Sequence, residues 1–338
     1  GENYWFNGCA RYVMEALGEY TKDADLMTDD IYNLRVKDNN FGFWLFAGLT
    51  GDILTQHYKQ PFMGDGVNAY HQDQGDGKFF EDVFKKCGYA ANYVFSRDLC
   101  KNKEMYIQKL ISYIDEGVPV ISMGHEGPPF GVFVGYEEYG EVLLYITGND
   151  AEPKRISCDE AMQSKAPDIS GWIFVGEKKE QKDVAKIYRE AIYALPELLK
   201  TNNHKYCFGS AAFRAWADDI ENGYFDGMKP EEFDAWPMYT NFVCVLATNG
   251  SCAHNFLKRA QAHNPDMIFL NKINDLYSRM GQIWDNDNGD DLESLGGGFH
   301  VTLEVLQDKV RRAKIASRIR ECGDLTDEVL RVIEENIT

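Results

Sequence analysis

Apolar residues first recur at helical spacing near the start of the chain. Between Gly8 and Glu19, residues Ala10, Val13, Met14 and Leu17 fall at i, i+3, i+4 and i+7, the period of a helix with one face toward a core. Asn7 stands where an N-cap belongs, which predicts Cys9 in the first turn. Lys78–Lys86 repeats the pattern and runs into Gly88, a C-cap candidate, and Glu104–Glu116 does so before Gly117. After Gly117 the period becomes that of strands: Val118–Ser122, Val132–Tyr136, an acidic turn, Glu141–Thr147, and Trp172–Val175. Helices followed by consecutive antiparallel strands predict an α+β domain rather than a doubly wound one.

Glu177–Asp183 (EKKEQKD) is a solvated charge run that suits a linker. Beyond it no strand pair is evident. The stretches 184–200, 209–221, 239–248, 251–263, 266–284, 299–317 and 325–336 suit helices, separated by turns such as Asn202-Asn203 and Gly296-Gly297-Gly298. The expectation is two domains, an α+β domain over 1–180 and an antiparallel all-α bundle over 184–338.

Charge narrows the possible partners. The 338 residues carry 35 Lys and Arg against 54 Asp and Glu, a net −19, and residues 1–180 and 181–338 are each acidic. Nucleic-acid binding needs Lys and Arg to displace counterions from phosphates, and this balance opposes it. An anionic membrane surface is disfavoured for the same reason, and no apolar run approaches a bilayer span. The opening Gly1–Phe6 lacks the regions of a signal peptide. Eight cysteines are scattered with no C-x-x-C pair, so the expectation is reduced thiols in a cytoplasmic protein.

One thiol carries a chemical reading. A cysteine in the first turn of a helix meets the positive end of the macrodipole and unpaired backbone N–H groups. Both favour thiolate, and the same N–H groups can accept an oxyanion. The bland alternative packs Cys9 beside Val13 on the apolar face. Some 120 residues later comes a second pattern: Val132-Phe133-Val134-Gly135-Tyr136, an acidic turn, an apolar strand, then Gly148-Asn149-Asp150.

A helix-first cysteine followed by such a hairpin resembles the papain-like cysteine peptidase fold, nearest the bacteriocin-leader peptidases and the butirosin biosynthesis protein H family. Tyr4–Ala10 and Phe46–Asp52 are also similar to members of that family. The resemblance covers Asn3 to about Glu177; over the helical half it rests on domain order. It implies Cys9 as nucleophile and Asn149 or Asp150 as the group orienting a histidine. The base itself belongs at the head of the Val132 strand, where Pro129 and Phe130 stand instead. His125, four or five residues earlier, is the nearest candidate base. No Gln precedes Cys9, so Asn3 and Asn7 are the available oxyanion donors.

Other motifs read as structure. Asp285–Asp290 is similar to a calcium loop, but its glycine is one place early and its twelfth position is Gly296, so a polar turn is expected. Cys252 and His254 lack a partner pair for a metal. His57 and His71 flank a loop rich in Gln and Asp, with no role beyond pocket lining. Aromatic residues near Cys9, among them Tyr4, Trp5, Phe6, Phe43, Trp44 and Phe46, suit core packing or an apolar wall for a small acyl group. No metal or other cofactor is expected.

The leading expectation is a cytoplasmic cysteine-dependent acyl-transfer enzyme, an amide or peptide hydrolase or an acyltransferase, acting on a cationic small molecule or peptide. The alternative is a catalytically degenerate papain-like module that binds such a ligand, motivated by the missing histidine. A structural or interaction protein built on the helical bundle is the third. Substrate and oligomeric state are open.

Overall fold

The computed structural model describes residues 5–19, 41–59, 76–123, 129–148, 150–164, 167–202, 206–286 and 288–337. The chain divides into two compact units, Gly1–Thr50 with Ala69–Ile187, and Gly51–Asn68 with Tyr188–Thr338. The division falls at Ile187, inside a helix, rather than in the 177–183 charge run. The segment beginning at Gly51 is counted with the helical unit, an exchange that a contiguous reading of the sequence does not anticipate.

The first unit mixes helices with one antiparallel sheet. Its helices are α1 (Trp5–Ala16), α2 (Phe43–Leu49), α3 (Lys78–Lys86), α4 (Ser96–Lys101), α5 (Lys103–Asp115) and α6 (Cys158–Met162). The strands are β1 (Tyr89–Phe95), β2 (Val120–Met123), β3 (Phe130–Glu137), β4 (Val142–Ile146), β5 (Lys154–Ser157) and β6 (Gly171–Lys178). They lie in the order β1-β6-β2-β3-β4-β5, every pairing antiparallel. One core cluster joins Leu99, Ile107, Leu110, Val120, Phe133, Tyr145, Trp172 and Phe174. In α1, Phe6, Ala10, Val13 and Met14 are fully buried, as their helical spacing predicts, and the helix packs on β2 and β3. Strands β1 and β5 escaped the sequence reading: Ala90, Ala91 and Asn92 dilute the first, and β5 (Lys-Arg-Ile-Ser) is mostly exposed.

Between β3 and β4, Glu138 (φ 50°) and Tyr139 (φ 56°) both adopt the left-handed conformation. That conformation crowds Cβ against the following carbonyl. The Tyr139 side chain is 94 % exposed, so it gains little packing in return. Tyr139→Gly is therefore expected to raise the urea midpoint, by up to about 1 kcal/mol in unfolding free energy.

In the second unit the helices are α7 (Val184–Leu199, begun in the first unit), α8 (Gly209–Glu221), α9 (Asn241–His263), α10 (Leu270–Trp284), α11 (Leu292–Leu295), α12 (Leu303–Gln307) and α13 (Lys309–Glu334). The expected helices at 239–248 and 251–263 are one continuous helix, entered through a π-turn at Trp236–Thr240. Its glycine, Gly250, does not break it. Instead it lies against Gly281 of α10, so close that a Cβ there would sit 2.4 Å from the Gly281 Cα. The expected 299–317 helix is split at Asp308, whose side chain accepts from the Val310 and Arg311 backbone N–H groups and caps α13.

This unit also holds a strand pair, one strand of which comes from outside residues 184–338. His57–Tyr58 pairs with Cys207–Phe208, His57 opposite Phe208. Tyr58 Oη donates to Asp219 Oδ2 at 2.7 Å, Gln56 Nε2 donates to the Phe242 carbonyl at 2.9 Å, and Tyr277 Oη donates to the Leu54 carbonyl. Those bonds tie residues 54–58 to α8, α9 and α10, which accounts for their membership of this unit. Among the described residues, no helix is long and apolar enough to cross a membrane.

Candidate functional site

Cys9 lies in α1, one turn further in than its sequence position suggested. The helix already includes Trp5, so the unpaired N–H groups of its first turn precede Cys9, whose own N–H belongs to the regular ladder. The dipole's influence falls off within that first turn. The residue is buried, 8 % exposed. Asn7 is correspondingly inside the helix and is not its N-cap. It is fully buried, and its Oδ1 lies 3.3 Å from the Thr50 hydroxyl at the end of α2. The oxyanion role expected of Asn7 therefore meets an amide turned toward the core. Asn3 lies outside the described residues.

The head of β3 is where the resemblance places a base. Pro129 precedes the strand and Phe130 opens it, and Phe130 is fully buried. The Phe130 ring centroid is 5.4 Å from Phe6 of α1 and 5.7 Å from Phe80 of α3. Phe80 in turn meets Phe6 at 5.1 Å and stacks on Tyr93 at 5.4 Å. Phe130, Phe6 and Phe80 are rings without a proton-accepting group, and edge-to-face and tilted packing of this kind is worth more than its area alone. The rings expected as an apolar wall near Cys9 are thus largely core: Phe6, Phe43, Trp44 and Phe46 are all buried. His125, the substitute base, lies outside the described residues, as does Asn149.

Asp150 is described, and its carboxylate is already committed. Its Oδ2 accepts from the Thr147 N–H at 3.0 Å and the Thr147 hydroxyl at 2.7 Å, closing the turn after β4. Its Oδ1 pairs with Lys154 Nζ at 2.5 Å. The Lys154 ammonium, with help from Thr147, holds the carboxyl below its usual range. Such a carboxylate is a turn cap with a counter-ion rather than a free acceptor waiting for an imidazole.

Cys9 and Asp150 nevertheless converge on one residue. Burial is the main cause raising the Tyr145 phenol, and negative charge at Cys9 and then at Asp150 pushes it further. Tyr145 reaches across to β3, where a Cβ on Gly131 would fall 2.4 Å from its hydroxyl. Only glycine leaves room for that ring. With its ionisation pushed up, Tyr145 is a neutral phenol at physiological pH. Tyr145 is a residue that sequence reasoning missed. The small residue at 131, opposite Ser122 in the ladder, was the signal that could have found it.

The remaining candidates resolve as structure. Around the calcium-like stretch, Asn286 Nδ2 donates to Asp290 Oδ1 at 3.2 Å, the Asn288 N–H donates to Asn286 Oδ1 at 2.7 Å, and Arg318 pairs with Asp290. A guanidinium on the loop's own carboxylate disfavours a cation there. No group of three or more His, Cys, Asp or Glu side chains suited to a metal occurs among the described residues, and Cys252 with His254 gathers no further ligands there. His57 is fully buried in the second unit, while His71 lies outside the described residues. Several other thiols are core: burial raises Cys87 and Cys322 and pushes Cys158 up to about 11. Cys100 is exposed. No protein-family model and no curated protein matches the chain.

Proposed function

We propose that the first unit is a papain-like cysteine module without a working catalytic base, and that the protein binds a small molecule or peptide. The observation that carries this reading is Phe130. Where the resemblance calls for an imidazole, an apolar ring is locked between Phe6 and Phe80. Loss of a positioned general base typically costs about 10²–10⁴-fold in rate. The buried position of Cys9 past the first turn, and the Lys154-paired Asp150, support the same reading. With a net charge of −19, the preferred ligand is cationic, as steering by an acidic surface favours.

A specific observation keeps acyl transfer by Cys9 as the second reading. Cys9 and Asp150, the positions expected for nucleophile and orienting group, act on the same phenol. Alkylation with iodoacetamide separates the two. In the folded protein Cys9 is expected to react at least about 100-fold more slowly than the exposed Cys100, since even a local opening of about 2.7 kcal/mol suppresses the rate that far. The difference should vanish in urea. Fast modification of Cys9 at mildly acidic pH, abolished by His125→Ala, would establish an active dyad and overturn the binding reading.

A further inference from the structure

The second unit has a polar cleft of its own, where α10 packs against α13. Its volume is about 150 Å³, room for about five waters. Helix α10 supplies Arg279, Gln282 and Ile283 to it, at i, i+3 and i+4 on one helix face. The rest of the lining is a fixed ion cluster. Arg318 of α13 donates from Nε to the Asp290 carbonyl and from Nη1 to Glu321 Oε2, both at 2.8 Å, and its Nη2 pairs with the Asp290 carboxylate. Asn286 Nδ2 holds the other Asp290 oxygen at 3.2 Å. Two carboxylates share one guanidinium there, so the cluster is negative by one charge. Arg279 is positive and uncommitted: neither its guanidinium nor the Gln282 amide forms an ion pair or hydrogen bond among the described residues. Arg214, Arg320 and Arg331, by contrast, each hold two carboxylates.

We propose that this cleft binds a small zwitterion of the α-amino-acid class. The ligand carboxylate accepts from the fork of Arg279 N–H donors, a geometry that suits a planar carboxylate, and from the Gln282 amide. Its ammonium donates to Glu321, whose Oε1 makes no hydrogen bond among the described residues. The buried Ile283 offers an apolar surface to a short side chain. A simple anion would satisfy Arg279 but meet the negative cluster, and a simple cation would satisfy Glu321 but meet Arg279. A molecule carrying both charges a few ångströms apart suits both walls at once, and the small volume limits it to a few heavy atoms. The site lies wholly in the second unit and does not rest on the reading of Cys9.

The test titrates the full chain with L-alanine, acetate and ethylamine, read by isothermal calorimetry. L-alanine is expected to bind more tightly than either single-charge probe. Arg279 is exposed and takes no part in the ion cluster, so Arg279→Gln should keep the fold, which far-UV circular dichroism checks. It should weaken L-alanine about 10–100-fold, the range for losing hydrogen bonds to a charged group. Glu321→Gln should move the probes in opposite directions. It removes the partner of the ammonium, weakening L-alanine about two- to fivefold, and it relieves repulsion of acetate, which should bind more tightly. Acetate binding as tight as that of L-alanine would make this a plain anion site and overturn the proposal. An L-alanine affinity unmoved by Arg279→Gln would place the ligand elsewhere, and it would overturn the proposal equally. So would the absence of saturable L-alanine binding in the millimolar range, or Glu321→Gln shifting both probes in the same direction. None of these outcomes touches the alkylation test of Cys9.

Discussion

Phe130→Ala is expected to destabilise the first unit by about 3–5 kcal/mol, the range for removing a fully buried aromatic ring. The ring contacts Phe6 of α1 and Phe80 of α3 from the head of β3, so its loss opens a cavity where two helices meet the sheet. Phe130→Leu should recover a large part of that loss, because it restores apolar volume without the ring contacts. Urea unfolding, read by tryptophan fluorescence, checks both. A loss below about 1 kcal/mol for alanine would mean that the cluster is loosely packed. A core role for Phe130 in place of a base would then lose its main support. The expected result therefore bears on function as much as on stability.

The second large effect is expected at the crossing of α9 and α10. A Cβ on Gly250 would meet the Gly281 Cα at 2.4 Å and its nitrogen at 2.5 Å, backbone atoms that no rotamer change can move aside. Gly250→Val should force the helices apart and cost about 3 kcal/mol or more, at the upper end of overpacking losses. A better helix former than glycine normally gains up to about 1 kcal/mol in a helix interior, so the sign of the measured change separates packing from propensity. Gly227→Ala is the control. Open space surrounds that position, and a change within about 0.5 kcal/mol is expected.

Local periodicity carried much of the fold. Lys78–Lys86 and Gly209–Glu221 were readable to the residue, because amphipathic spacing and a following glycine or asparagine mark both face and end. Strands β2, β3, β4 and β6 were legible for a similar reason, being apolar and bounded by turns. Where reading failed, the deciding contact was distant. A strand as short as Cys207–Phe208 has no period to detect and exists through His57–Tyr58, some 150 residues earlier. Gly250, which resembles a helix break in sequence, is a packing device whose partner is Gly281.

The candidate site divides in the same way. That Cys9 lies on an amphipathic helix, and that neither Pro129 nor Phe130 can accept a proton, follow from residue identity alone. How deep Cys9 lies in that helix depends on where α1 begins, and Trp5 extends it past the expected cap at Asn7. The occupation of Asp150 by Lys154 and Thr147 and the reach of Tyr145 over Gly131 were likewise decided only in three dimensions. Side-chain chemistry is a property of the residue, whereas ionisation, burial and partner choice depend on which distant groups the fold delivers to it. The sequence by itself therefore determined the menu of elements and the side-chain chemistry at positions such as 129 and 130, and tertiary packing determined what each polar group meets.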